Sequence, residues 1–175
     1  YSFDELNDLI RYCTDRFITL IPELDMPGHS EAFKRAAGVD MQSPEGMELC
    51  RKLLNELMDH TELPYIHIGG DEVKITNKQF LPEMYKVVAD RGKKVIAWSP
   101  GGEVPEGTIR QLWQGQVKPL PGFVSIDSRH LYLNHLDPYD AVTAIFSHVI
   151  DDVPEGDEQH PGAVLCLWPD RRVSR

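Results

Sequence analysis

Two acidic side chains stand next to each other in the segment HIGGDEV, residues 67–73. Asp71 and Glu72 follow two glycines, which let the backbone turn both carboxylates towards one pocket, whereas on a continuing strand they would point to opposite faces. Adjacent carboxylates repel each other, so one of them keeps its proton more easily, as a general acid near neutral pH requires. The doublet therefore predicts acid–base chemistry, and the alternative is a solvated acidic turn.

A second polar cluster lies in ELDMPGHS, residues 23–30, which contains Glu23, Asp25 and His29. His29 could orient an acid, bind a metal ion or pack in the core. The chain has no HExxH motif and no His-x-His pair, and its candidate ligands are scattered along the sequence, so a zinc or two-metal site has weak support. We therefore expect no metal ion and no cofactor.

The three tryptophans of the chain each end a predicted strand: Trp98, Trp113 and Trp168. A single tryptophan is usually part of a hydrophobic core. Three at equivalent strand ends, together with paired carboxylates, indicate aromatic walls for a flat apolar ligand face such as that of a sugar ring. Polar residues that could hydrogen-bond sugar hydroxyls follow the later strands: Tyr132, Asn134 and Asp170.

The segments that must position these residues alternate between helical and strand patterns. Three helices begin at capping signals, which are Ser2 with Glu5, Ser43 with Pro44, and Thr76 with Gln79. The predicted strands span residues 17–21, 64–68, 95–98, 109–113, 123–126 and 164–168, and a further helix covers 139–149. Helices that alternate with short apolar strands predict a parallel α/β fold.

Six parallel strands fit either a doubly wound sheet or most of an eight-stranded barrel. The sequence has no Gly-x-Gly-x-x-Gly or phosphate-loop motif, which weakens the nucleotide-binding version of the fold. A complete barrel takes about 250 residues. We expect the 175 residues to form one compact domain over residues 1–175 that is truncated at both ends.

Composition excludes several classes of protein. The chain has 18 basic and 28 acidic residues and a formal charge of -10, which argues against a general nucleic-acid binder. Hydrophobic residues make up 41%, enough for a core, and no apolar run approaches the length of a membrane span, so no membrane segment is expected. We interpret the three cysteines as buried thiols: Cys13, Cys50 and Cys166. A disulfide bond between two of them is the alternative that the sequence leaves open, so the redox compartment is undetermined.

Six short segments resemble, in order, the catalytic barrel of glycoside hydrolase family 20, the β-N-acetylhexosaminidases. They are DMPGH at 25–29, HIGGDEV at 67–73, AW at 97–98, QLW at 111–113, LYLN at 131–134 and CLWPD at 166–170. The resemblance covers essentially the whole chain. It implies a partial (β/α)8 TIM barrel, about strands three to eight, that removes terminal non-reducing β-linked N-acetylhexosamine from glycans and glycoconjugates without a cofactor.

The same resemblance implies a role for each residue of the candidate site. Glu72 matches the general acid/base, and Asp71 matches the residue that orients the 2-acetamido group and stabilises an oxazolinium intermediate. Tyr132 matches the hydroxyl that binds the acetamido oxygen. His29 matches a histidine that sets the protonation of the acid through a carboxylate, which is expected upstream of this chain. The nucleophile then belongs to the sugar, so neighbouring carboxylates suffice.

The sugar-contacting residues are also implied by the resemblance. Trp98, Trp113 and Trp168 match the walls around the acetamido methyl group and the sugar face. Asn134 stands where the family commonly has Asp, and Asp170 where it commonly has Glu. These two differences could shift the preference between gluco and galacto epimers, because both positions touch outer hydroxyls. The hydroxyl-binding Arg of the first barrel strand is absent from the chain.

Three functional hypotheses remain open from the sequence. The first is an exo-acting β-N-acetylhexosaminidase. The second is an inactive fragment or a glycan-binding relative, because an open barrel exposes sheet edges. The third is a metal-dependent hydrolase on a similar barrel. The family resemblance implies a periplasmic, extracellular or lysosomal location, and the sequence itself leaves the compartment unknown.

Overall fold

The computed structural model describes residues 1–134, 138–153 and 155–168. The elements in chain order are α1 (Phe3–Thr14), β1 (Glu23–Met26), α2 (Glu31–Ala37), α3 (Pro44–His60), β2 (Tyr65–Gly69), α4 (Phe80–Ala89), β3 (Lys94–Ser99), β4 (Ile109–Leu112), β5 (Ser125–Asp127), α5 (Pro138–Ser147), a 3-10 turn (Ile150–Asp152) and β6 (Gly162–Ala163). Within these residues the six strands follow chain order in the sheet, from β1 to β6. The predicted α/β fold is confirmed.

The chain divides into two compact units, of which the first comprises residues 1–97 and 101–108. In this unit β1, β2 and β3 pair in parallel. Ile66 and Ile68 on β2 are fully buried, and His67 between them is buried as well, so both faces of the strand are covered, as is typical of parallel sheets. The core around β2 consists mainly of Met26, Cys50, Leu54, Met58, Phe80, Leu81, Met84, Val88, Val95 and Ala97.

Two of the three predicted helix starts are confirmed in the first unit. Ser2 and Glu5 form the capping box of α1. Ser43 caps α3 by accepting a hydrogen bond from the Gly46 amide at 3.0 Å. The predicted capping box at Thr76 and Gln79 is wrong, because the side chain of Gln79 makes no capping hydrogen bond and Thr76 is bound to another segment.

The predicted strand over residues 17–21 is wrong. The chain makes a turn after α1, where the Ile18 amide donates to the Cys13 carbonyl, and the side chain of Phe17 is fully exposed. Pairing with β2 starts where the Pro22 carbonyl accepts a hydrogen bond from the His67 amide, so the strand is β1, at residues 23–26. An apolar run becomes a strand only where a neighbour supplies its hydrogen bonds. The short helix α2 was not predicted.

The second unit comprises residues 98–100 and 109–175. Its described part contains the last residues of β3 and the whole of β4, β5, α5 and β6. Strands β4, β5 and β6 pair in parallel. The predicted strand at 109–113 and the helix at 139–149 are confirmed, whereas the strand predicted at 123–126 begins two residues later. The strand predicted at 164–168 is wrong: β6 spans 162–163, and Cys166 forms only an isolated bridge with Tyr132.

All three cysteines are free thiols. Cys50 and Cys166 are buried as expected, whereas Cys13 is partly exposed, which corrects the expectation for that residue. Among the described helices, none combines the length and the apolar character needed to cross a bilayer.

Candidate active site

The parallel pairing of β1 and β2 brings the segments DMPGH and GGDE to one edge of the first unit. Glu23 pairs with His67, and Met26 pairs with Gly69. Gly69 has a φ of 70°, and a Cβ atom there would lie 2.1 Å from Asp25 Oδ1 and 2.6 Å from the Met26 amide nitrogen. Only glycine therefore allows the end of β2 to approach Asp25 this closely.

His29 connects a carboxylate of β1 to the acid doublet. Its Nδ1 lies 2.5 Å from Asp25 Oδ2, and its Nε2 lies 3.1 Å from Glu72 Oε2. The turn after β1 brings the ring back towards Asp25 with His29 in the left-handed region, at a φ of 46°. Asp25, four residues earlier, is thus a carboxylate partner of His29 that the sequence did not predict, and the partner expected upstream of this chain stays a prediction.

The carboxylates around His29 favour its charged form. The hydrogen bond with Asp25 is the main reason that the pKa of His29 is raised, and the charges of Asp25 and Asp71 add to the effect. Partial burial of the ring acts in the opposite direction but is the smaller influence. When it is protonated, the ring can donate to Asp25 and Glu72 at once.

The two carboxylates of the doublet occupy different environments. Asp71 is only 9% exposed, whereas the side chain of Glu72 is 52% exposed. The turn between them is tight, with Glu72 at a φ of 54° and the Val73 amide donating to the Asp71 carbonyl at 2.7 Å. Burial, helped by the charge of Asp25, raises the pKa of Asp71 to about 6. The member of the doublet that burial holds towards its protonated form is thus Asp71, because its carboxylate is the desolvated one.

Asp25, His29 and Asp71 are also close enough to be considered as metal ligands, since one ligand atom of each lies within 4.8 Å of the others. Two atoms bound to one tetrahedral zinc ion at about 2.0–2.2 Å are more than about 3 Å apart. The 2.5 Å between His29 Nδ1 and Asp25 Oδ2 is shorter than that and is a hydrogen-bond distance. The arrangement fits a hydrogen-bonded chain better than a metal centre.

The residues predicted to contact the sugar belong to the second unit. The rings of Trp98 and Trp168 have centroids 6.0 Å apart, at an angle of 55°. Asn134 Oδ1 accepts a hydrogen bond from the Trp168 amide at 3.1 Å. The indole of Trp113 donates to the Pro100 carbonyl at 2.8 Å, so its plane is fixed. The structure therefore brings together Trp98, Trp168 and Asn134.

The backbone on both sides of Tyr132 is hydrogen-bonded to Cys166. It forms a parallel bridge with Cys166, the Cys166 amide donates to the Leu131 carbonyl at 2.8 Å, and the Leu133 amide donates to the Cys166 carbonyl at 2.9 Å. Asp170, the remaining predicted sugar-binding residue, lies outside the described residues.

A buried ion pair at the end of β5 was not predicted from the sequence. Asp127 and Arg129 are 0% and 1% exposed, and Arg129 donates from Nε to Asp127 Oδ1 at 3.0 Å and from Nη2 to Oδ2 at 2.8 Å. His148 Nε2 lies 2.8 Å from Oδ2. Burial disfavours the charge of Asp127, but its hydrogen bonds hold its pKa at about 2. This pair fixes the start of the loop that leads to Tyr132, and its signal in the sequence is only an Asp-x-Arg spacing.

Comparison with solved structures agrees with the fold. The Vibrio harveyi exo β-N-acetylglucosaminidase of glycoside hydrolase family 20, solved with N-acetylglucosamine, matches 97% of this chain and 37% of its own, with a TM-score of 0.79 and 20% identity. The Streptomyces plicatus N-acetyl-β-hexosaminidase, solved with thio-NAglucal, matches 74% of this chain and 34% of its own, with a TM-score of 0.64 and 26% identity. The predicted fold, part of a TIM barrel, is confirmed.

Comparison of sequences gives the family. A β-N-acetylhexosaminidase of Cellulomonas fimi is 29% identical over 148 residues, which cover 69% of this chain and 30% of the relative. A β-hexosaminidase of Akkermansia muciniphila is 35% identical over 94 residues, 41% of this chain and 19% of the relative. The chain thus spans less than a third of these relatives. The model of the glycosyl hydrolase family 20 catalytic domain matches residues 1–40 and 35–95, and the chain belongs to this family.

Proposed function

We propose that the protein is a retaining exo-glycosidase that removes terminal non-reducing β-linked N-acetylhexosamine from glycans, with the acetamido group of the substrate as nucleophile. The observation that carries the proposal is the unequal doublet: Asp71 is buried, and Glu72 is half-exposed and hydrogen-bonded to His29. One carboxylate is thus positioned to bind a polar group of the substrate away from water, and the other to exchange a proton with a leaving group and with water.

In the first step Glu72 gives its proton to the glycosidic oxygen. The bond from the anomeric carbon to that oxygen breaks as the acetamido oxygen attacks the same carbon, which produces a cyclic oxazolinium ion and a free alcohol. Asp71, whose raised pKa of about 6 leaves it ionised at neutral pH, accepts a hydrogen bond from the acetamido N–H, and its negative charge stabilises the positive charge that develops there. Charge stabilisation is most effective at a desolvated group such as this one.

In the second step the carboxylate of Glu72 removes a proton from water, which attacks the anomeric carbon and reopens the ring with net retention. His29 assists because its Nε2–H can donate to Glu72 while that residue is anionic. Asp25 acts through His29, since it holds the ring in place and favours its protonated form. Asp25 is therefore a positioning residue and Glu72 a catalytic one.

Roles in substrate binding are assigned to residues of the second unit. Tyr132 is proposed to hydrogen-bond the acetamido oxygen, and the indoles of Trp98, Trp113 and Trp168 to contact the acetamido methyl group and the sugar face. Asn134 and Asp170 are proposed to bind outer hydroxyls. The relatives in Cellulomonas fimi and Akkermansia muciniphila are a β-N-acetylhexosaminidase and a β-hexosaminidase, which supports a substrate that carries N-acetylhexosamine.

The proposal is tested with an aryl β-N-acetylglucosaminide and a thiazoline analogue of the cyclic intermediate. The protein should release the phenol and bind the thiazoline far more tightly than the product sugar. The Glu72→Gln variant should lose about 10²-fold or more of kcat on a substrate whose leaving group needs a proton. The variant Glu62→Gln, at an exposed position after α3, is the matched control and should keep full activity. If Glu72→Gln keeps most of its activity, the assignment of the acid is wrong.

Metal-dependent hydrolysis is the second candidate, because Asp25, His29 and Asp71 are close enough to share an ion. The hydrogen-bond distance between His29 and Asp25 argues against it. Dialysis against a chelator separates the two functions. Unchanged activity is expected from acetamido participation, and loss of activity that zinc restores would establish the metal-dependent reaction instead.

A further inference from the structure

A histidine buried in β2 lies between the apolar core and the neighbouring strand. His67 is 4% exposed and stands between Ile66 and Ile68, which both belong to the core. Because side chains alternate along a strand, its imidazole lies on the face of β2 opposite to that core. In the parallel pairing of β1 and β2 its neighbour is Glu23. His67 has no role in the chemistry proposed above.

The ring of His67 binds the backbone two residues further along the chain. The Gly69 amide donates to His67 Nδ1 at 3.1 Å. This bond needs a lone pair on Nδ1, so it exists only while that nitrogen carries no proton. Glu23 Oε1 lies 3.2 Å from the same nitrogen and would accept a hydrogen bond from a protonated Nδ1. The Gly69 amide and Glu23 are therefore competing partners of one ring nitrogen.

The bond to Gly69 lies where the pairing of β1 and β2 is irregular. Glu23 pairs with His67 and Met26 with Gly69, so β1 advances from 23 to 26 while β2 advances only from 67 to 69. An extra residue of this kind bends a strand and redirects side chains, and it is frequent next to active sites. Asp25 lies in this irregular stretch, and its Oδ1 is the atom that approaches Gly69 most closely. His67 thus holds the amide at the point where β1 brings Asp25 to the site.

Gly69 also begins the turn that carries the carboxylates of the doublet. Gly69 and Gly70 have φ values of 70° and 103°, in the left-handed region that glycine reaches without strain. The same freedom would let these residues take other directions if nothing held them. The Gly70 carbonyl accepts a hydrogen bond from the Gly102 amide at 2.8 Å, and the Gly69 amide is held by His67. Together the two hydrogen bonds set the direction in which the chain continues to Asp71.

Packing alone does not account for an imidazole at this position. Burial of a polar ring costs free energy that an aliphatic side chain of similar size would not lose. On β3 the residue paired with His67 is Ile96, an aliphatic residue that is only 2% exposed. What an aliphatic side chain in place of His67 could not supply is the hydrogen-bond acceptor for Gly69.

We propose that His67 is a positioning residue for the reaction: by holding the Gly69 amide on Nδ1, it fixes the turn that aims Asp71 and Glu72 at the substrate. The inference rests on the proposed function, because the groups that it positions are the two carboxylates of that mechanism. His67 acts through the backbone, since it lies four residues before Asp71 and the Gly69 amide is the link between them.

Two substitutions separate the acceptor from the bulk of the ring. His67→Leu fills the buried space without an acceptor, and kcat on an aryl β-N-acetylglucosaminide should fall about 10²-fold, because the reacting groups are displaced. His67→Asn places Oδ1 where the ring has Nδ1, and an Asn side chain readily accepts from the amide two residues further on. It should recover at least about tenfold of the lost kcat.

A purely structural role predicts the opposite order of activity. Leu fills an apolar space better than Asn does, so His67→Leu should have the higher thermal midpoint although it has the lower kcat. His67→Gln repeats the comparison with a polar side chain, because its amide group reaches the position of Nε2 instead of Nδ1. It should be about as inactive as His67→Leu, and it serves in place of that variant if His67→Leu does not fold.

Hydrogen exchange of the Gly69 amide, measured by NMR without substrate, tests the contact itself. Exchange should be about tenfold or more faster in His67→Leu than in the unmodified protein, and His67→Asn should restore the protection. The matched control is Thr108→Val, which removes a buried hydroxyl that donates to the Pro105 carbonyl at 2.8 Å. It should lower the thermal midpoint and leave both kcat and the exchange of Gly69 unchanged.

Three results would overturn the positioning role while the proposed function stands. The first is an unchanged kcat in His67→Leu, and the second is unchanged exchange of the Gly69 amide in that variant. The third is a His67→Asn variant no more active than His67→Leu, which is expected if Nδ1 donates to Glu23 instead. If the unmodified protein does not hydrolyse the aryl glycoside, the proposed function fails and the positioning role fails with it.

Discussion

His29 Nε2 lies 3.1 Å from Glu72 Oε2, although 43 residues separate the two in the chain. The contact exists because β1 and β2 are parallel neighbours, and their ends bring the two turns together. The other ring nitrogen is bound to Asp25, so the imidazole has one carboxylate on each side. The orientation of Glu72 is thereby tied to a residue of β1.

Replacement of Asp25 should change the titration of His29. The hydrogen bond that the His29 ring donates to Asp25 is the main cause of the raised pKa of His29, so in Asp25→Asn that pKa should fall towards its ordinary value of about 6.5. The imidazole would then lose its proton at a lower pH than in the unmodified protein. Nitrogen-detected NMR of the histidine ring measures this titration directly.

The control for this measurement is Asp90→Asn, which removes an exposed carboxylate paired with Lys86 on α4. It should leave the titration of His29 unchanged. An unchanged pKa in Asp25→Asn would contradict the role assigned to Asp25.

The ionised carboxylate of Asp71 should lower the free energy of unfolding at neutral pH. Its pKa is about 6 in the folded protein and near 3.9 in an unfolded chain, so its contribution to stability is fully present below about pH 4 and is lost as the pH rises through about 6. Asp71→Asn cannot ionise and escapes this loss. Relative to the unmodified protein, the variant should gain about 1–3 kcal/mol in free energy of unfolding between pH 4 and pH 7.5.

Urea unfolding at a series of pH values measures this gain. The quantity to compare is the change with pH in the difference between the two free energies of unfolding. Its absolute value at one pH is less informative, because the substitution also alters hydrogen bonding. A difference between the two proteins that stays constant from pH 4 to pH 7.5 would show that the carboxylate of Asp71 is not desolvated.

Gly69→Ala should disrupt the site more than its backbone strain alone explains. The new Cβ atom would meet Asp25 Oδ1 and the Met26 amide, so it must displace the residue that holds His29. Gly92→Ala is the matched control: its φ of 71° is nearly equal to the 70° of Gly69, but a Cβ atom there meets nothing within 4 Å.

Both variants should lose about 1–2 kcal/mol of stability from the left-handed conformation. Only Gly69→Ala should also lose about 10²-fold in kcat, by displacement of catalytic groups. The measurement uses an aryl N-acetylglucosaminide. Equal kcat in the two variants would mean that catalysis does not require the close approach of Asp25 to β2.

Asp127→Ala should destabilise the protein strongly. It leaves the guanidinium of Arg129 buried without its main partner, which costs about 3–5 kcal/mol. Asp90→Ala breaks an exposed ion pair with Lys86 and should cost less than about 1 kcal/mol. Urea unfolding of both variants gives the comparison, and similar losses in the two would argue that Asp127 and Arg129 contribute no more than a surface pair.

The sequence was informative where a local pattern determines structure. The segment HIGGDEV predicted a strand that ends at two glycines, and β2 ends at Gly69. That Asp71 and Glu72 face one pocket stays a prediction. The capping box of Ser2 and Glu5 also depends only on neighbours in the chain, and it was predicted correctly.

Features that depend on distant contacts were missed. The apolar run 17–21 has strand composition but no strand beside it, because pairing with β2 begins at Pro22. The assignment of Asp25 to His29 requires the left-handed turn after β1, and spacing alone does not reveal it. The burial of Arg129 depends on Asp127 and on the segments packed against both, and no periodicity in the sequence encodes it.

The most direct test of the central claim is a series of aryl glucosaminides whose N-acetyl group carries zero, one, two or three fluorine atoms. Fluorine withdraws electrons from the acetamido oxygen and weakens it as a nucleophile, while the leaving group stays constant. If the substrate attacks its own anomeric carbon, kcat should fall steeply with each fluorine. A kcat that is independent of fluorination would contradict the account, because the nucleophile would then be water or a side chain.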